Sequence, residues 1–488
     1  MNEEHTSWEA KSPEANDEDL LYFNGIDITS GEYLQPPISA ADVCRMAQEE
    51  KFDSRHLNEL EAKARSTEPH LGVEYGVDPT KLEEAGWGII FPNNADPAVS
   101  EALKSLLSHR QAQAAKIKPS RYKVYFGDAG YQPGESAEKF LVRGGAAPGP
   151  VDPDKIPYYL LIAGDPETIP FSFQHDLDVW YGVGRIHFDS IDEYARYAER
   201  VVAAETGAAS LPRRAVFFAT SDDPTTALSC RDLVTPLAGM MRDDRPNWSI
   251  DAVLGDDAQK GRLRKLLGGD DSPALLFTGT HGGYLSADDP RQSQLQGGLV
   301  CQKRPHPSQW SESALGDFYC FAEDISDNAL IPPMITFHFA CFGAGTPRNN
   351  EFFDSPKNYL PANLATRAFV AQLPKRLLGH PRGGALAVIG HVERAWSCSF
   401  RWPGAGSQLG AFKSALRVLM DGHPVGWATE FLNQHYAGLS VILKNQLDDM
   451  RFGKLPDQKR LPFLWTANHD ARNYAIVGDP AVRLPIGS

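Results

Sequence analysis

Short apolar runs recur along most of the chain, and stretches with helical periodicity lie between them. Runs of this length are typical of strands in a buried sheet. The alternation predicts an α/β fold with a mostly parallel central sheet and helices on both faces. The runs are residues 86–91 (GWGIIF), 122–126 (YKVYF), 158–163 (YYLLIA), 215–220 (AVFFAT), 250–254 (IDAVL), 274–280 (ALLFTGT), 334–340 (MITFHFA), 384–389 (GALAVI) and 474–477 (YAIV).

The helical stretches and the length of the chain suggest several units. Helices are predicted over residues 98–114, 191–204, 227–241, 258–267, 408–420 and 425–447. A chain of 488 residues is too long for one ordinary domain. We expect an N-terminal tail at 1–70, partly helical or disordered and with helical periodicity at 40–64, then a smaller α/β subdomain at 71–210 and a main domain at 211–488.

Charge and composition exclude several classes of partner. The net charge is -15, so the surface repels phosphate backbones and nucleic acid is not an expected partner. No apolar stretch is long enough to span a bilayer, and the first residues, MNEEHTSWEA, do not look like a secretory signal. We therefore expect a cytoplasmic protein without a membrane partner. The 6 cysteines form no CxxC pair and no zinc-like spacing, which predicts reduced thiols and no metal or other cofactor.

Two of the apolar runs end in reactive side chains. One run leads into FTGTHGG, which carries His281, and the other leads into FHFACFGAG, which carries Cys341. Parallel strands present their carboxyl ends at one edge of a sheet, so the imidazole and the thiol are expected to share a cleft. A histidine beside a cysteine can accept the thiol proton and activate the sulfur as a nucleophile. The sequence therefore predicts a His281–Cys341 catalytic dyad.

Glycines surround both reactive residues. Gly282 follows the histidine directly, and glycine permits close approach of backbone to a substrate. The backbone N–H groups of Gly282 and Cys341 are predicted to form an oxyanion hole. The polar residues 345–358 (GTPRNNEFFDSPKN) are expected to form a long loop that lines the cleft.

Other chemistries lack their sequence signatures. His338 lies within an apolar run and is interpreted as a core or supporting residue, while His380 and His391 are given structural roles. The chain has no GxSxG elbow, no Walker A motif and no GxGxxG after a strand. The absence of CxxC also disfavours a thiol oxidoreductase.

The HGG and strand-Cys blocks resemble those of the caspase-like clan of cysteine peptidases, which includes caspases, metacaspases, separase, CHAT-domain peptidases and gingipains. The two residues are 60 apart, so an insertion is expected at about 286–326. The segments YYLLIAGDPETIP, DVWYGVGRI, GALAVIGHVERAW and YAIVGDPAVRL resemble gingipain blocks over residues 155–485. The resemblance implies a caspase-like three-layer sandwich, with 71–210 as a gingipain-like subdomain and 211–488 as the catalytic domain. It also implies a cysteine endopeptidase that works through a covalent acyl-enzyme.

The same resemblance suggests a substrate preference. In gingipains that cut after arginine, an aspartate just before the Tyr-Gly block binds the arginine, and the matching residue here is Asp178. Asp176, Asp222 and Asp223 remain alternatives as acidic pocket residues. Trp396 is expected to stack over the P1 side chain, which would suit a cation. Cleavage after arginine or lysine is therefore predicted, and Ca²⁺ dependence is left open.

The family also suggests a biological role. The resemblance favours a regulated intracellular bacterial protease in defence or cell death. Its protein substrate would be a gasdermin-like pore-former or another neighbouring-gene product, and control would come from a partner, a ligand or autoprocessing. The alternative is a catalytically inactive caspase-like scaffold that serves as an interaction protein.

Overall fold

The computed structural model describes residues 20–34, 37–39, 72–147, 149–207, 210–304, 315–350, 363–451 and 460–487. The helix predicted within 40–64 lies outside these residues, as do parts of the loop and of the insertion that flank the two reactive residues. The strands are β1 (Leu20–Leu21), β2 (Gly25–Asp27), β3 (Ile38–Ser39), β4 (Trp87–Ile90), β5 (Tyr122–Tyr125), β6 (Tyr159–Ala163), β7 (Gly182–Ile186), β8 (Arg214–Ala219), β9 (Ser249–Leu254), β10 (Leu275–Gly279), β11 (Gly282–Tyr284), β12 (Leu299–Val300), β13 (Tyr319–Cys320), β14 (Ile335–Phe339), β15 (Gly345–Thr346), β16 (Phe369–Val370), β17 (Ala387–His391), β18 (Arg401–Trp402), β19 (Gly406–Ser407) and β20 (Tyr474–Gly478).

Helices occupy the stretches that the sequence periodicity predicts, and the six helical predictions are confirmed. A π-helical turn, Cys230–Val234, joins two of the helices into one continuous stretch over residues 224–244. The α-helices are α1 (Leu82–Ala85), α2 (Pro97–Ala102), α3 (Lys104–Ala114), α4 (Ala137–Arg143), α5 (Phe171–Asp178), α6 (Ile191–Glu205), α7 (Pro224–Ser229), α8 (Thr235–Asp244), α9 (Lys260–Gly268), α10 (Gln292–Leu295), α11 (Leu315–Phe318), α12 (Gln372–Leu378), α13 (Gly410–Met420), α14 (Val425–Arg451) and α15 (Arg460–Arg472).

A ten-stranded sheet forms the centre of the fold, in the order β5-β4-β6-β7-β20-β17-β14-β10-β8-β9. Neighbouring strands are parallel throughout, except where β17 meets β20. That antiparallel pair divides the sheet into two parallel halves that run in opposite directions. Strands β17, β14, β10, β8 and β9 therefore place their carboxyl ends at one edge.

The predicted α/β class is confirmed, with a mostly parallel sheet between two helical layers. Strands β6, β10, β14, β17 and β20 are buried at every position, so helices or loops cover both faces of the sheet. On one face, the Phe412 ring of α13 lies 6.3 Å from the ring of Phe277 and 5.9 Å from that of Phe337, centroid to centroid. All nine apolar runs contribute strands to this sheet.

Strand β7 is the one member of the central sheet that the apolar pattern does not reveal. Its sequence, GVGRI, contains two glycines and a buried arginine. A Cβ at Gly184 would lie 2.2 Å from the carbonyl oxygen of Gly478 in β20, so the two strands approach too closely for any side chain. Close packing at the centre of the sheet thus selects a sequence of low strand propensity.

A buried ion cluster connects the first half of the fold to β20. The Arg110 guanidinium donates to Asp479 Oδ2 at 2.7 Å and to both Glu205 carboxylate oxygens at 2.7 Å. Asp479 also accepts a hydrogen bond from the Trp87 indole at 2.9 Å. Burial opposes ionisation of Glu205, but the charge of Arg110 outweighs it and holds the pKa of Glu205 well below its usual range. Strands from both predicted α/β regions share one sheet, and the boundary at residue 210 stays a prediction.

A small four-stranded sheet, β13-β12-β11-β2, adjoins the carboxyl-end edge. Strand β11 follows His281 directly, while β12 and β13 come from the segment predicted as an insertion. Strand β2 comes from the N-terminal segment and pairs with β11 in parallel, Gly25 opposite Gly282. Residues 20–34 of the predicted tail thus form ordered strands beside the histidine.

Among the described helices, none is both long enough and apolar enough to cross a membrane.

Candidate active site

Four neighbouring parallel strands deliver the site residues to one edge of the sheet. Asp223 follows β8, His281 follows β10, Cys341 follows β14, and Ala395 follows β17. The register of β10 with β14 pairs Gly279 with Phe339, which brings His281 and Cys341 to equivalent positions two residues later. Neighbouring strands lie roughly 4.8 Å apart, so the imidazole and the thiol occupy adjacent places at this edge.

The His281 ring is held by a carboxylate. Its Nε2 atom lies 2.8 Å from Asp223 Oδ2, and only 1% of His281 is exposed. The other ring nitrogen, Nδ1, is buried and has no hydrogen-bond partner among the described residues. The Tyr33 ring covers the imidazole edge-on, with centroids 5.7 Å apart. The arrangement fixes the orientation of the ring and leaves Nδ1 available for proton exchange.

Asp223 is an ionised, buried carboxylate with several donors. Its Oδ1 accepts the backbone N–H groups of Thr225 and Thr226 at 3.0 Å and so caps α7, while Oδ2 accepts from Arg304 at 3.1 Å. Burial opposes ionisation, but the charge and hydrogen bond of His281, together with Arg304, hold the pKa of Asp223 well below its usual range. A charged carboxylate at this place stabilises an imidazolium.

The Cys341 sulfur is wholly covered by its neighbours. The Ala395 N–H donates to Sγ at 3.3 Å, and none of the residue is exposed. Burial raises the pKa of the thiol, against the smaller opposing effects of the Ala395 N–H and the Arg394 charge. The next residue, Phe342, has a φ of 58°, a left-handed conformation that is rare for a bulky side chain and that turns the chain sharply after the sulfur.

Two backbone N–H groups converge on one carbonyl oxygen beside the sulfur. Gly282 donates to the carbonyl of Asn24 at 2.9 Å, and Cys341 donates to the same oxygen at 3.3 Å. A Cβ at Gly282 would lie 1.8 Å from the carbonyl oxygen of Cys341, so only glycine allows the two backbones to approach this closely. The pair has the geometry of an oxyanion hole, and the carbonyl that fills it belongs to the N-terminal segment.

The two residues expected to bind the substrate side chain are both buried. Asp178 ends α5, and its Oδ1 accepts the Val183 N–H of β7 at 3.1 Å. It lies at the same edge of the sheet as His281 and Cys341, but the adjoining strand β7 is three strands from β14, roughly 14 Å at the usual strand spacing. Trp396 is fully buried next to Ala395, and its ring lies 4.9 Å from that of Phe23. Their roles in substrate preference stay predictions.

The remaining histidines of the sequence analysis lie in structural surroundings. His338 is buried between the hydroxyl groups of Thr278 and Thr336, at 2.9 and 3.0 Å, and burial lowers its pKa to about 3. His391 lies 3.4 Å from Asp470, whose Oδ1 also accepts the Trp396 N–H at 2.7 Å. Within the described ranges, no group of three or more His, Cys, Asp or Glu side chains is arranged to hold a metal ion.

Sequence reasoning did not assign two parts of the site. Asp223 is named there only as an alternative pocket acid, because its contact with His281 depends on β8 lying beside β10. The signal available was its place at the end of an apolar run, like His281 and Cys341. The N-terminal segment is predicted as a tail, although the apolar run LLYF followed by Asn-Gly is typical of a strand that enters a turn.

Comparisons with known proteins find matches among solved structures only, at low sequence identity. No family model matches the chain, and no curated protein matches it. A solved structure described as "Structure of Protease" is 12% identical, with a TM-score of 0.44 over 82% of this chain and 78% of that chain. The complex of Porphyromonas gingivalis RgpB pro- and mature domains is also 12% identical, with a TM-score of 0.42 over 82% of this chain and 80% of that one.

Proposed function

We propose that this chain is a cysteine endopeptidase, with Cys341 as nucleophile, His281 as general base and acid, and Asp223 as the residue that positions His281. One observation carries the proposal: the N–H groups of Gly282 and Cys341 bind a single peptide carbonyl oxygen next to the thiol. Peptide-bond hydrolysis needs a nucleophile, a proton carrier and donors for the oxyanion, and in this proposal the thiol, the imidazole and the two N–H groups supply these three functions.

The mechanism follows from these positions. His281 Nδ1 accepts the thiol proton, and the sulfur attacks the scissile carbonyl carbon. The oxyanion is stabilised by the Gly282 and Cys341 N–H groups while His281 protonates the leaving amine. Water then attacks the thioester with His281 as base and restores the free thiol. The Asp223 carboxylate stabilises the imidazolium at each stage.

A specific observation favours a second candidate, a non-catalytic scaffold. The thiol is wholly covered, and its raised pKa leaves little thiolate at neutral pH. A protein that keeps this state permanently would serve as a binding module. The two candidates differ in whether Cys341 ever becomes accessible.

Hydrolysis and covalent labelling separate the candidates. The wild-type chain, Cys341→Ala and His281→Ala would be incubated with a mixed peptide library and with a peptidyl acyloxymethyl ketone. We expect hydrolysis and labelling in the wild type and in neither of these two variants. A Cys398→Ala control should behave like the wild type, because Cys398 is also a buried thiol but lies outside the dyad. Unchanged hydrolysis in Cys341→Ala would refute the proposal, and no hydrolysis or labelling in any variant would favour the scaffold.

The preference for a basic P1 residue stays a prediction. It needs the Asp178 carboxylate to reach the substrate side chain, whereas that carboxylate accepts a hydrogen bond from Val183 three strands away from Cys341. A role in bacterial defence, with a gasdermin-like pore-former or another neighbouring-gene product as substrate, likewise stays a prediction.

A further inference from the structure

Residues 20–25 cross the catalytic edge as an extended strand that pairs with the wall of the cleft. The Asn24 N–H donates to the carbonyl of Ala395 at 2.9 Å, and the Ser397 N–H donates to the carbonyl of Tyr22 at 2.9 Å. Phe23, which lies between Tyr22 and Asn24 in the chain, forms an antiparallel bridge with Trp396. A bound peptide would form the same ladder when it adds a strand to the edge of a cleft.

Asn24 occupies the place of a residue whose carbonyl is about to be attacked. Its oxygen accepts the two N–H groups of Gly282 and Cys341, at 2.9 and 3.3 Å. Its side-chain amide donates to the carbonyl of Thr280 at 3.2 Å, and only 1% of the residue is exposed. The Thr280 carbonyl can accept a hydrogen bond from the side-chain amide of an asparagine. It cannot bind the carboxylate of an aspartate, which has no proton to donate.

The next residue leaves the peptide bond open to the sulfur. A Cβ at Gly25 would lie 3.2 Å from Cys341 Sγ, so the Cα of Gly25 is itself close to the thiol. Glycine puts no side chain between the sulfur and the Asn24–Gly25 bond. Beyond that bond the chain continues as β2, held by its pairing with β11.

The residues before Asn24 have complementary surroundings. The Phe23 ring packs on Trp396, with centroids 4.9 Å apart, and Phe23 is 2% exposed. Tyr22 instead faces a cavity of about 260 Å³, which Trp402 and Phe463 also line. Successive side chains of this segment thus face different surroundings, as they do in an extended peptide that is bound in consecutive subsites.

The hairpin that follows reinforces this placement. Asp27 Oδ1 accepts the N–H groups of Thr29 and Ser30, both at 2.8 Å, and so shapes the turn. Arg304 donates to the carbonyl of Gly31 at 2.6 Å and, through its other terminal nitrogen, to Asp223. The same arginine therefore connects the hairpin to the carboxylate that holds His281.

We propose that the Asn24–Gly25 bond is the first substrate of this chain, cut within the same molecule, and that the enzyme selects asparagine at P1 with an aromatic residue before it. This inference rests on the proposed function, and it differs from the basic P1 residue that the family resemblance suggests. The product would be a shortened chain that begins at Gly25 and an open cleft.

The chemistry balances as a hydrolysis. The Cys341 proton passes to His281, and a bond forms between Sγ and the Asn24 carbonyl carbon. The bond to the Gly25 nitrogen then breaks, and His281 gives its proton to that nitrogen. One water molecule cleaves the thioester, which leaves a carboxylic acid on Asn24 and returns the proton to the thiol.

Intact mass and N-terminal sequencing of the purified full chain test the cut. We expect the wild type to lose residues 1–24 at a rate independent of protein concentration, while Cys341→Ala stays whole. Cleavage at Asn24 in Cys341→Ala as well, or a rate that rises with concentration, would overturn the inference.

The asparagine is tested by a matched pair of variants. Asn24→Ala removes the hydrogen bond to Thr280 and should slow self-cleavage about tenfold or more, because a buried carbonyl is left unsatisfied. Asn328→Ala is the control, since Asn328 is exposed and remote in the fold. Equal rates for Asn24→Ala and wild type would contradict a pocket for asparagine.

Peptides separate this inference from the proposed function. Phe23→Asp should expel the segment, because it places a charge on a buried ring position against Trp396. This variant and the wild type would be assayed with Leu-Leu-Tyr-Phe-Asn and Leu-Leu-Tyr-Phe-Arg, each joined to a fluorogenic amine. We expect the asparagine peptide to give the higher kcat/KM by at least about tenfold.

Each other outcome has a distinct meaning. A higher kcat/KM for the arginine peptide, or an intact wild-type chain alongside Cys341-dependent hydrolysis in Phe23→Asp, overturns the inference and leaves the endopeptidase in place. Failure of Phe23→Asp to hydrolyse either peptide or to react with the acyloxymethyl ketone overturns both.

Discussion

The imidazole Nε2 of His281 lies 2.8 Å from the carboxylate Oδ2 of Asp223, and both side chains are almost wholly buried. Asp223→Asn keeps the shape and the helix cap but removes the charge that stabilises the imidazolium. We expect kcat for peptide hydrolysis to fall by about a hundredfold to ten-thousandfold with little change in KM.

The neighbouring carboxylate provides the control for that variant. Asp222 accepts the backbone N–H groups of Lys303 and Arg304, at 3.1 and 3.3 Å, and does not hold His281. Asp222→Asn should therefore leave kcat near the wild-type value. An equal loss of kcat in both variants, or a lowered melting temperature that accounts for the loss in Asp223→Asn, would contradict the positioning role.

Gly282→Ala should greatly reduce peptidase activity, because the added side chain would push the backbone of residue 282 away from that of Cys341. The added Cβ would lie 1.8 Å from the Cys341 carbonyl oxygen, and backbone cannot yield at that distance. The Gly282 N–H would move away from the substrate oxygen, so we expect kcat to fall by about a hundredfold or more. Gly239→Ala in α8 is the control, since nothing lies within 4 Å of its Cβ position. Near-normal hydrolysis by Gly282→Ala would exclude its N–H from the oxyanion hole.

The Cys341 thiol should alkylate slowly at neutral pH while residues 20–34 cover it. Burial raises its pKa, and only the thiolate reacts, so in the uncut chain the rate should rise about tenfold per pH unit as the pH increases toward that pKa. Phe23→Asp should accelerate the reaction at pH 7. Peptide mass mapping after iodoacetamide treatment measures Cys341 separately from the partly exposed Cys230. Fast, pH-independent labelling of the intact chain would contradict a covered thiol.

Arg110→Met should lower the free energy of unfolding by about 3–5 kcal/mol. It leaves Glu205 and Asp479 buried without their cation. Because the three residues connect α3, α6 and the end of β20, we expect the loss to appear in a single cooperative transition. Arg143→Met, which removes a half-exposed ion pair with Glu135, should cost about 1 kcal/mol or less. Urea unfolding followed by circular dichroism and tryptophan fluorescence measures both variants.

The sequence predicts local features of this fold well and non-local ones poorly. Nine strands of the central sheet follow from runs of apolar residues, and the places of His281 and Cys341 follow from where two runs stop. The order of the strands in the sheet does not follow from these runs. The contact between Asp223 and His281 depends on that order, because it requires β8 to pair with β10. Strand β7 is missed because Gly184 reflects contact with a strand nearly 300 residues later.

The N-terminal segment illustrates a second limit. Its apolar run LLYF is typical of a strand, but the partners of that strand, Gly282 and Ala395, lie more than 250 residues away and cannot be identified from the run itself. The sequence therefore places His281 and Cys341 at neighbouring strand ends but does not reveal the peptide segment that covers them. The P1 prediction from Asp178 depends on family resemblance alone, and so it could not draw on the placement of Asn24.

The position of β20 also bears on when the chain can fold during synthesis. This strand lies between β7 and β17 and joins the two oppositely directed halves of the sheet. A ribosome that has produced 450 residues has made the other nine strands of this sheet, yet the strand at its centre is still missing. The strands that lead into Cys341 and His281 therefore lie in a complete sheet only after residue 478 is made. Assembly of the complete central sheet therefore waits for the last of its strands to be made.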